Sequence, residues 1–548
     1  MKSTFTIVIA CIVHSALFAQ GLFTDTLHLN GVSAIYSANG TLFADTASYT
    51  THYNIPGLDE GTELGNTFFA AGFWMGGIDQ FGDLHLAAQS YGQFGNDYWS
   101  GPIATDYTDP DYLAKYSRVW KMDKSSIDTH IANWNVPGYS IPGIIADWPG
   151  NGNTANGEAL LLAPFYDRDS NLIYDPLAGD YPIIRGDEAI FIIANDAAFA
   201  HTESGGEALG FELHIMAYAF IDPDDPSMHL SQFMNVKLIN RSSFTYNDFY
   251  FGMFTDPDIG YYGDDYVGCD STLEMFYAYN GDDYDELGPY AYLTHPPAQG
   301  ITFLNHPLHM FKYYQNDFSV IGNPFTPEDH YNYLQGKWLD GSEQTLYGNG
   351  YGGDELSKFM FPAHPLDALG WSMVTEGTPP MDMRGIGSIR PVTFNAGDTT
   401  CIDIVLTTAF GADTLTYDGT FSDMTAWNAV EGLKAYVSDI RSWYDANVDA
   451  CAIRYTAGEE ELGVEQEMLT GARVFPNPAD TRLSVMVTNG KQLQHVWLSN
   501  TAGQMVFLQN TVGGEALSLD IQSLASGLYQ LSVQYTDGET RSTPIVIQ

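Results

Sequence analysis

"NTFFAAGFWMGGI", residues 66–78, is an apolar and aromatic run that opens on an asparagine and stops against Asp79. Runs of this kind, closed at both ends by turn-forming residues, mark strands of antiparallel sheets. Others share the form: "AIFIIAN" (189–195), "LGFELHIMAYAFI" (209–221), "SQFMNVKLINRS" (231–242) and "FYFGMFTD" (249–256), each bounded by Gly, Asp, Asn or Pro. Composition agrees. The 54 Gly and 26 Pro supply turns, and 35 Tyr, 31 Phe and 10 Trp favour strands and long ordered loops over helical bundles. Two helices stand out. "DKSSIDTHIANW" (123–134) begins with Asp and Ser and places Ile127 and Ile131 one helical turn apart. "SDMTAWNAVEGLKAYVSDIRSWYDAN" (422–447) spaces Trp427, Val430, Leu433, Val437, Ile440 and Trp443 three or four apart, a stripe expected to pack on a sheet.

At 548 residues the chain exceeds one ordinary domain. Met1-Lys2 followed by the apolar "FTIVIACIVHSALFA" (5–19) predicts a secretory signal peptide over 1–20. No later segment has the length and uniformity of a transmembrane helix. Residues 21–451 are expected to form a β-rich main region, as one body or two packed subdomains, with 422–447 as its closing helix. Residues 452–472 read as an acidic linker, including "TAGEEELGVEQEMLTGA" (456–472). Beyond it, 473–548 breaks into short alternating runs such as "LSVMV", "HVWLSN", "QMVFLQ" and "GLYQLSVQY", with turn residues between them. That rhythm predicts a small Ig-like β-sandwich. The expected fold class is mainly β, a large antiparallel sandwich-like region with a few helices plus this module.

"VFPNPADTRLSV", "LSNTAGQMVF" and "LDIQSLASGLYQLSV" occur in that order in the last stretch, with "PNP", the Gly503 turn and an L-x-x-G-x-Y element at Leu524–Tyr529. Together they resemble the type A C-terminal sorting domain of the type IX secretion system of Bacteroidota. The resemblance implies Sec export to the periplasm, then passage through an outer-membrane translocon that recognises 473–548. Cleavage and attachment to surface lipopolysaccharide, or release, would follow. The ending "STPIVIQ" departs from the pattern in lacking the usual basic residue near the terminus. Triplets Asp25-Thr26-Leu27, Asp45-Thr46-Ala47 and Asp413-Thr414-Leu415 resemble the O-glycosylation sequon of the same bacteria. Within 66–295, "FWMGGID", "AAQSYGQFGNDYWSGP", "DWPGNG", "GDYPIIRGDEA", "HTESGGEALGFE", "DPDIGYYGDDYVGCD" and "YNGDDYDELGPYAY" resemble large secreted Bacteroidota proteins with this kind of sorting domain. That resemblance supplies no catalytic residues.

Charge excludes some partners. With 21 Lys+Arg against 68 Asp+Glu the formal net charge is −47, which repels nucleic acid and anionic membrane surfaces. Solubility in an extracellular medium accounts for such a charge, and divalent cations would also relieve it. Removing the signal peptide leaves Cys269, Cys401 and Cys451, too few for a disulfide framework and in no zinc spacing. A Cys401–Cys451 bridge stays open.

The leading metal candidate is "DRDSNLIYDPLAGDYP" (167–182). Asp167, Asp169, Asn171 and Asp175 fall at positions 1, 3, 5 and 9 of a calcium loop, with the Ile173 carbonyl at position 7. Leu172 and Ala178 replace the EF-hand Gly and Glu, so Asp180 would close the shell of a structural calcium site. The competing reading is an Asx-rich turn without metal. A second acidic group, Asp256, Asp258, Asp264, Asp265 and Asp270 with "GDDYDE" (281–286), suits hard cations but reads first as solvated loops. His201, Glu203 and His214 read as hydrogen-bonded polar residues rather than ligands or an acid–base set. Trp99, Trp120, Trp148 and Trp338 read as core before sugar platforms. No H-E-x-x-H, G-x-S-x-G, P-loop or dinucleotide fingerprint occurs. The expected role is non-enzymatic, binding a polysaccharide or protein ligand or serving structurally, with calcium as the candidate stabilising ion. The alternative is a secreted hydrolase acting on polysaccharide, which would need two facing carboxylates about 5–9.5 Å apart.

Overall fold

The computed structural model describes residues 23–45, 50–57, 65–92, 95–285, 288, 290–411 and 425–448 of the main region. Of the C-terminal region it describes 472–475, 482–487, 491–500, 505–510, 516–522, 524, 527–537 and 540–547. The stretches read as a signal peptide (1–20) and an acidic linker (452–472), Cys451, the "PNP" motif and Gly503 lie outside the described residues, apart from Ala472. The chain divides into two compact units, one running to Thr456 and the other from Ala457.

The main unit is built on two nine-stranded antiparallel sheets. At the heart of the first, Tyr246–Pro257 lies between Asn66–Ile78 and Met383–Ile389, and Leu308–Gln315 pairs with the last of these. The second runs in the order Asp265–Asp270, Met275–Asn280, Ala298–Phe303, Thr399–Ala409, Ser231–Asn240, Phe211–Ala219 and Glu188–Asn195. The strands expected from the apolar runs are all present.

One core binds the two sheets. Phe73, Phe251 and Met253 of the first sheet and Ile190, Ile215, Met234 and Ile402 of the second belong to the same buried cluster. The second sheet is covered on its other face as well. Along Glu188–Asn195, Ile190, Ile192 and Ala194 face the common core, whereas Ala189, Phe191 and Ile193 face a second cluster. That cluster is completed by Tyr116, Trp120, Ile145 and Trp148, and by Ile440 and Tyr444 of the long helix Thr425–Asn447. Burial on both faces explains why these strands read as continuous apolar runs instead of alternating ones.

Lys124–Asn133 is helical as expected, its Asp123 cap accepting the Ser126 N–H at 2.8 Å. Thr425–Asn447 buries Val430, Leu433, Val437 and Ile440 as its stripe requires. Helices at Pro110–Tyr116 and Pro327–Gln335 were not expected. The second carries a Thr326/Asp329 capping box, Pro327 in its first turn and Gly336 at φ 80° closing it. It packs on the outer face of the first sheet, where Gly76 and Gly252 leave room: a Cβ on Gly252 would meet Leu334 at 2.7 Å.

The C-terminal unit has two sheets. One pairs Ala472–Phe475, Arg482–Val487 and Ala516–Asp520; the other joins Met505–Asn510, Leu493–Asn500, Gly527–Tyr535 and Thr540–Ile547. Leu483, Val485, Val496, Leu498, Leu519, Leu531, Val533 and Ile545 form its own core. It is the small β-sandwich that the alternating runs predict.

Candidate functional site

The 167–180 loop is a turn between Phe165–Tyr166 and Tyr181–Pro182, which pair antiparallel. Its oxygens serve its own backbone. The Asp167 carboxylate accepts the N–H of Asn171 at 3.2 Å and of Leu172 at 2.6 Å. Asn171 donates to Asp169 at 2.9 Å and accepts from the Ile173 N–H at 2.6 Å. Asp175 accepts from the Leu177 N–H at 2.8 Å, and buried Asp180 accepts from Arg168 at 2.9 Å and Asp175 at 2.8 Å. Burial, with Asp167 and Asp169 nearby, pushes the Asp180 carboxyl upward. These are Asx-type turns. Each bond uses part of an oxygen's accepting capacity, so the loop keeps lone pairs beyond those that shape it.

A different set of acids converges more closely. Among the described residues, the group of three or more Asp, Glu, His or Cys side chains whose ligand atoms all lie within 4.8 Å of one another is Asp256, Asp258 and Asp382. Strand geometry brings them together. Asp256 is near the end of Tyr246–Pro257, Asp258 follows it, and Asp382 directly precedes the neighbouring strand Met383–Ile389. Arg384, on that strand, binds the group from one side. Its Nη1 donates to Asp382 at 2.6 Å, its Nη2 lies 3.3 Å from Asp256, and its Nε donates to the Tyr91 hydroxyl at 2.8 Å. Tyr91 in turn donates to Asp256 Oδ2 at 2.7 Å. Asn316 completes the edge, donating to Asp382 Oδ2 at 3.1 Å.

Asp256 is 2% exposed, and Asp258 and Asp382 are half-buried. Burial raises the Asp256 carboxyl, with Arg384 pulling the other way. Burial raises Asp258 further, and the charges of Asp256 and Asp382 add to it. The expectation that these acidic stretches form solvated loops therefore fails at three positions, Asp256, Asp265 and Asp285. Asp256 and Asp265 are both buried, Asp265 accepting the Ile259 N–H at 2.9 Å and raised well above the usual carboxylate range by burial.

His201, Glu203 and His214 behave as hydrogen-bonded polar residues. The His201 ring nitrogens meet the carbonyl oxygens of Leu86 and Asp196, both at 2.7 Å. Glu203 accepts the N–H groups of Ser90, Tyr91 and Gly92. His214 pairs with Glu212 at 2.7 Å. Trp120, Trp148 and Trp338 are buried, in line with a core role. Sequence reasoning missed Tyr91, Asp382 and Arg384. The Asp382–Arg384 spacing would have placed both on one face of a strand, but nothing local tied them to Asp256.

Residues 473–548 match the family described as secretion system C-terminal sorting domain. This stretch is a type IX C-terminal sorting domain. The sorting domain directs the protein through type IX secretion machinery, so the protein is secreted or displayed at the cell surface. Among the described residues no helix is long and apolar enough to cross a membrane. No curated protein matches the chain. Solved structures give remote likenesses. A polysaccharide lyase aligns at 6% identity and TM-score 0.16 over 61% of this chain, which spans 34% of that protein's length. An Escherichia coli K12 protein provisionally assigned as an aldose 1-epimerase aligns at 9% identity and TM-score 0.21, over 71% of this chain and 99% of that one. The adhesin domain of Epf from Streptococcus pyogenes aligns at 8% identity and TM-score 0.12, over 62% and 92%. Likenesses at this level assign neither fold family nor activity.

Proposed function

We propose that this exported protein has a non-enzymatic binding or structural role outside the cell, with a polysaccharide or protein as its ligand and calcium as a stabilising ion. Retention on surface lipopolysaccharide after removal of the sorting domain belongs to the same reading. The observation that carries it is the sorting domain at 473–548 behind a main unit built as a thick sandwich. The state of the acid–base candidates supports it. His201 and Glu203 hold backbone groups, His214 is paired with Glu212, and Asp256 is held by Tyr91 and Arg384. Groups bonded in this way position chain segments. The alternating oxygens of the 167–180 loop support calcium as the ion.

Incubating the purified protein with neutral polysaccharides tests the role, with retention on the polymer and release of new reducing ends both measured. The expected result is no release of reducing ends on any polymer. Sustained release, abolished by substitution of a carboxylate, would replace this reading with a polysaccharide hydrolase.

A further inference from the structure

The strongest unexplained feature of the main unit is the corner where Asp256, Asp258 and Asp382 meet. We infer that Asp256, Asp258 and Asp382 form a binding site for one divalent cation of the calcium class, separate from the 167–180 loop. Three observations lead there.

The first is convergence. One oxygen from each carboxylate lies within 4.8 Å of those from the other two, a spacing that one hard cation can span. The second is charge. Three carboxylates carry −3 when ionised, and Arg384, bonded to Asp382 and beside Asp256, returns +1. The balance of −2 matches a divalent ion, whereas unrelieved it makes the corner repulsive. The third is a pair of sealed acceptors without donors. Asp256 Oδ2 accepts from Tyr91, but among the described residues its Oδ1 has no hydrogen-bond partner, and it is sealed from water. Asn66 is 1% exposed and donates its Nδ2 to the Asp258 carbonyl at 3.0 Å, which leaves its Oδ1 equally without a partner beside the same segment. A buried oxygen without a donor is destabilising, and a cation can supply the partner that no described N–H does.

Oxygen-only ligands suit calcium, whose shell is flexible, better than magnesium, which demands near-octahedral geometry and keeps its waters. The half-buried faces of Asp258 and Asp382 leave room for water to complete the shell. Such an ion would tie the end of Tyr246–Pro257 to the start of Met383–Ile389. It would also fix the segment that leads from the first sheet into Asp265–Asp270 of the second.

The test uses the purified full chain stripped with EDTA. Calcium is titrated by calorimetry, melting is followed with and without it, and terbium luminescence excited through tyrosine serves as a local probe. Wild type should bind calcium and melt higher with it. Asp258→Asn and Asp382→Asn, at half-buried positions, should weaken affinity at least about a hundredfold and lose the calcium-induced shift. In EDTA, Asp258→Asn should melt at or above wild type, because it removes a repelling charge; that outcome also shows that the variant folds. Asp167→Ala/Asp169→Ala should keep this shift. The inference is overturned if the Asp258 and Asp382 variants retain wild-type affinity, if the loop variant alone abolishes binding, or if calcium neither binds nor shifts melting in wild type. The last result would leave the export and binding role standing without its ion.

Discussion

Glu203 is held by opposing forces. Burial favours its neutral form and the nearby Asp97 charge adds to that, while N–H bonds from Ser90 at 2.7 Å, Tyr91 at 3.0 Å and Gly92 at 3.1 Å favour the anion. Burial wins, and the carboxyl is pushed up to about 7. An unfolded Glu titrates near about 4.3, so between these values the native state binds more protons than the unfolded chain. The stability Glu203 contributes is present in full below the unfolded value and is lost as pH rises through about 7. The loss is on the order of 3–4 kcal/mol. Calcium-free protein should therefore melt lower at pH 8 than at pH 5. Glu203→Gln should start lower, because its amide turns an N–H₂ toward backbone donors, and should show a shallower fall. An unchanged slope in the variant would place the pH dependence elsewhere. None of this was legible in "HTESGG", which showed polar residues beside a glycine turn but not the 90–92 segment that Glu203 clamps. Residue-scale sites of this kind depend on long-range partners. Asp382 and Arg384 went unnoticed for the same reason: their link to Asp256 exists only through pairing of adjacent strands.

At the scale of elements, far more was legible. The strands Asn66–Ile78 and Glu188–Asn195 and the helix Thr425–Asn447 stand where their apolar patterns put them, because long periodic segments carry their own burial signal. Pro327–Gln335 escaped although "TPEDHYNYLQG" contains its start and stop signals. Its apolar content is low, and its anchoring is tertiary: Tyr331 donates to the Asp248 carbonyl at 2.8 Å, and Ser388 donates to the Leu334 carbonyl at 2.8 Å. The helix also needs Gly252 beneath it. A Cβ there would sit 2.7 Å from Leu334 Cδ2 and 3.0 Å from the Gly387 carbonyl oxygen, close enough that the Leu334 side chain must shift and the strand beside it must give. Gly252→Ala should thus destabilise the main unit by about 1–3 kcal/mol despite adding apolar area. A melting temperature equal to wild type would show that the helix moves aside without cost.

At the scale of the whole molecule, the boundary near the end of the main region organises both folding and destination. The two units have separate buried cores, one set around Phe73, Met253 and Ile215 and the other around Leu483, Val496 and Leu531. Units with separate cores fold as separate cooperative units, so removal of one leaves the other's stability largely in place. The sorting domain is then an address that can be detached from the function it delivers. Deleting 473–548 should leave a main unit with wild-type melting and near-ultraviolet circular dichroism that accumulates in the periplasm. The reciprocal fusion, with 473–548 placed behind an unrelated periplasmic protein that keeps its own signal peptide, should appear outside the cell. Folding and transport are thus read in separate measurements, and a failure of export cannot be mistaken for a failure to fold. A truncated chain that still reaches the surface or medium at the wild-type level would mean that the main unit carries its own export signal and that 473–548 is dispensable for delivery.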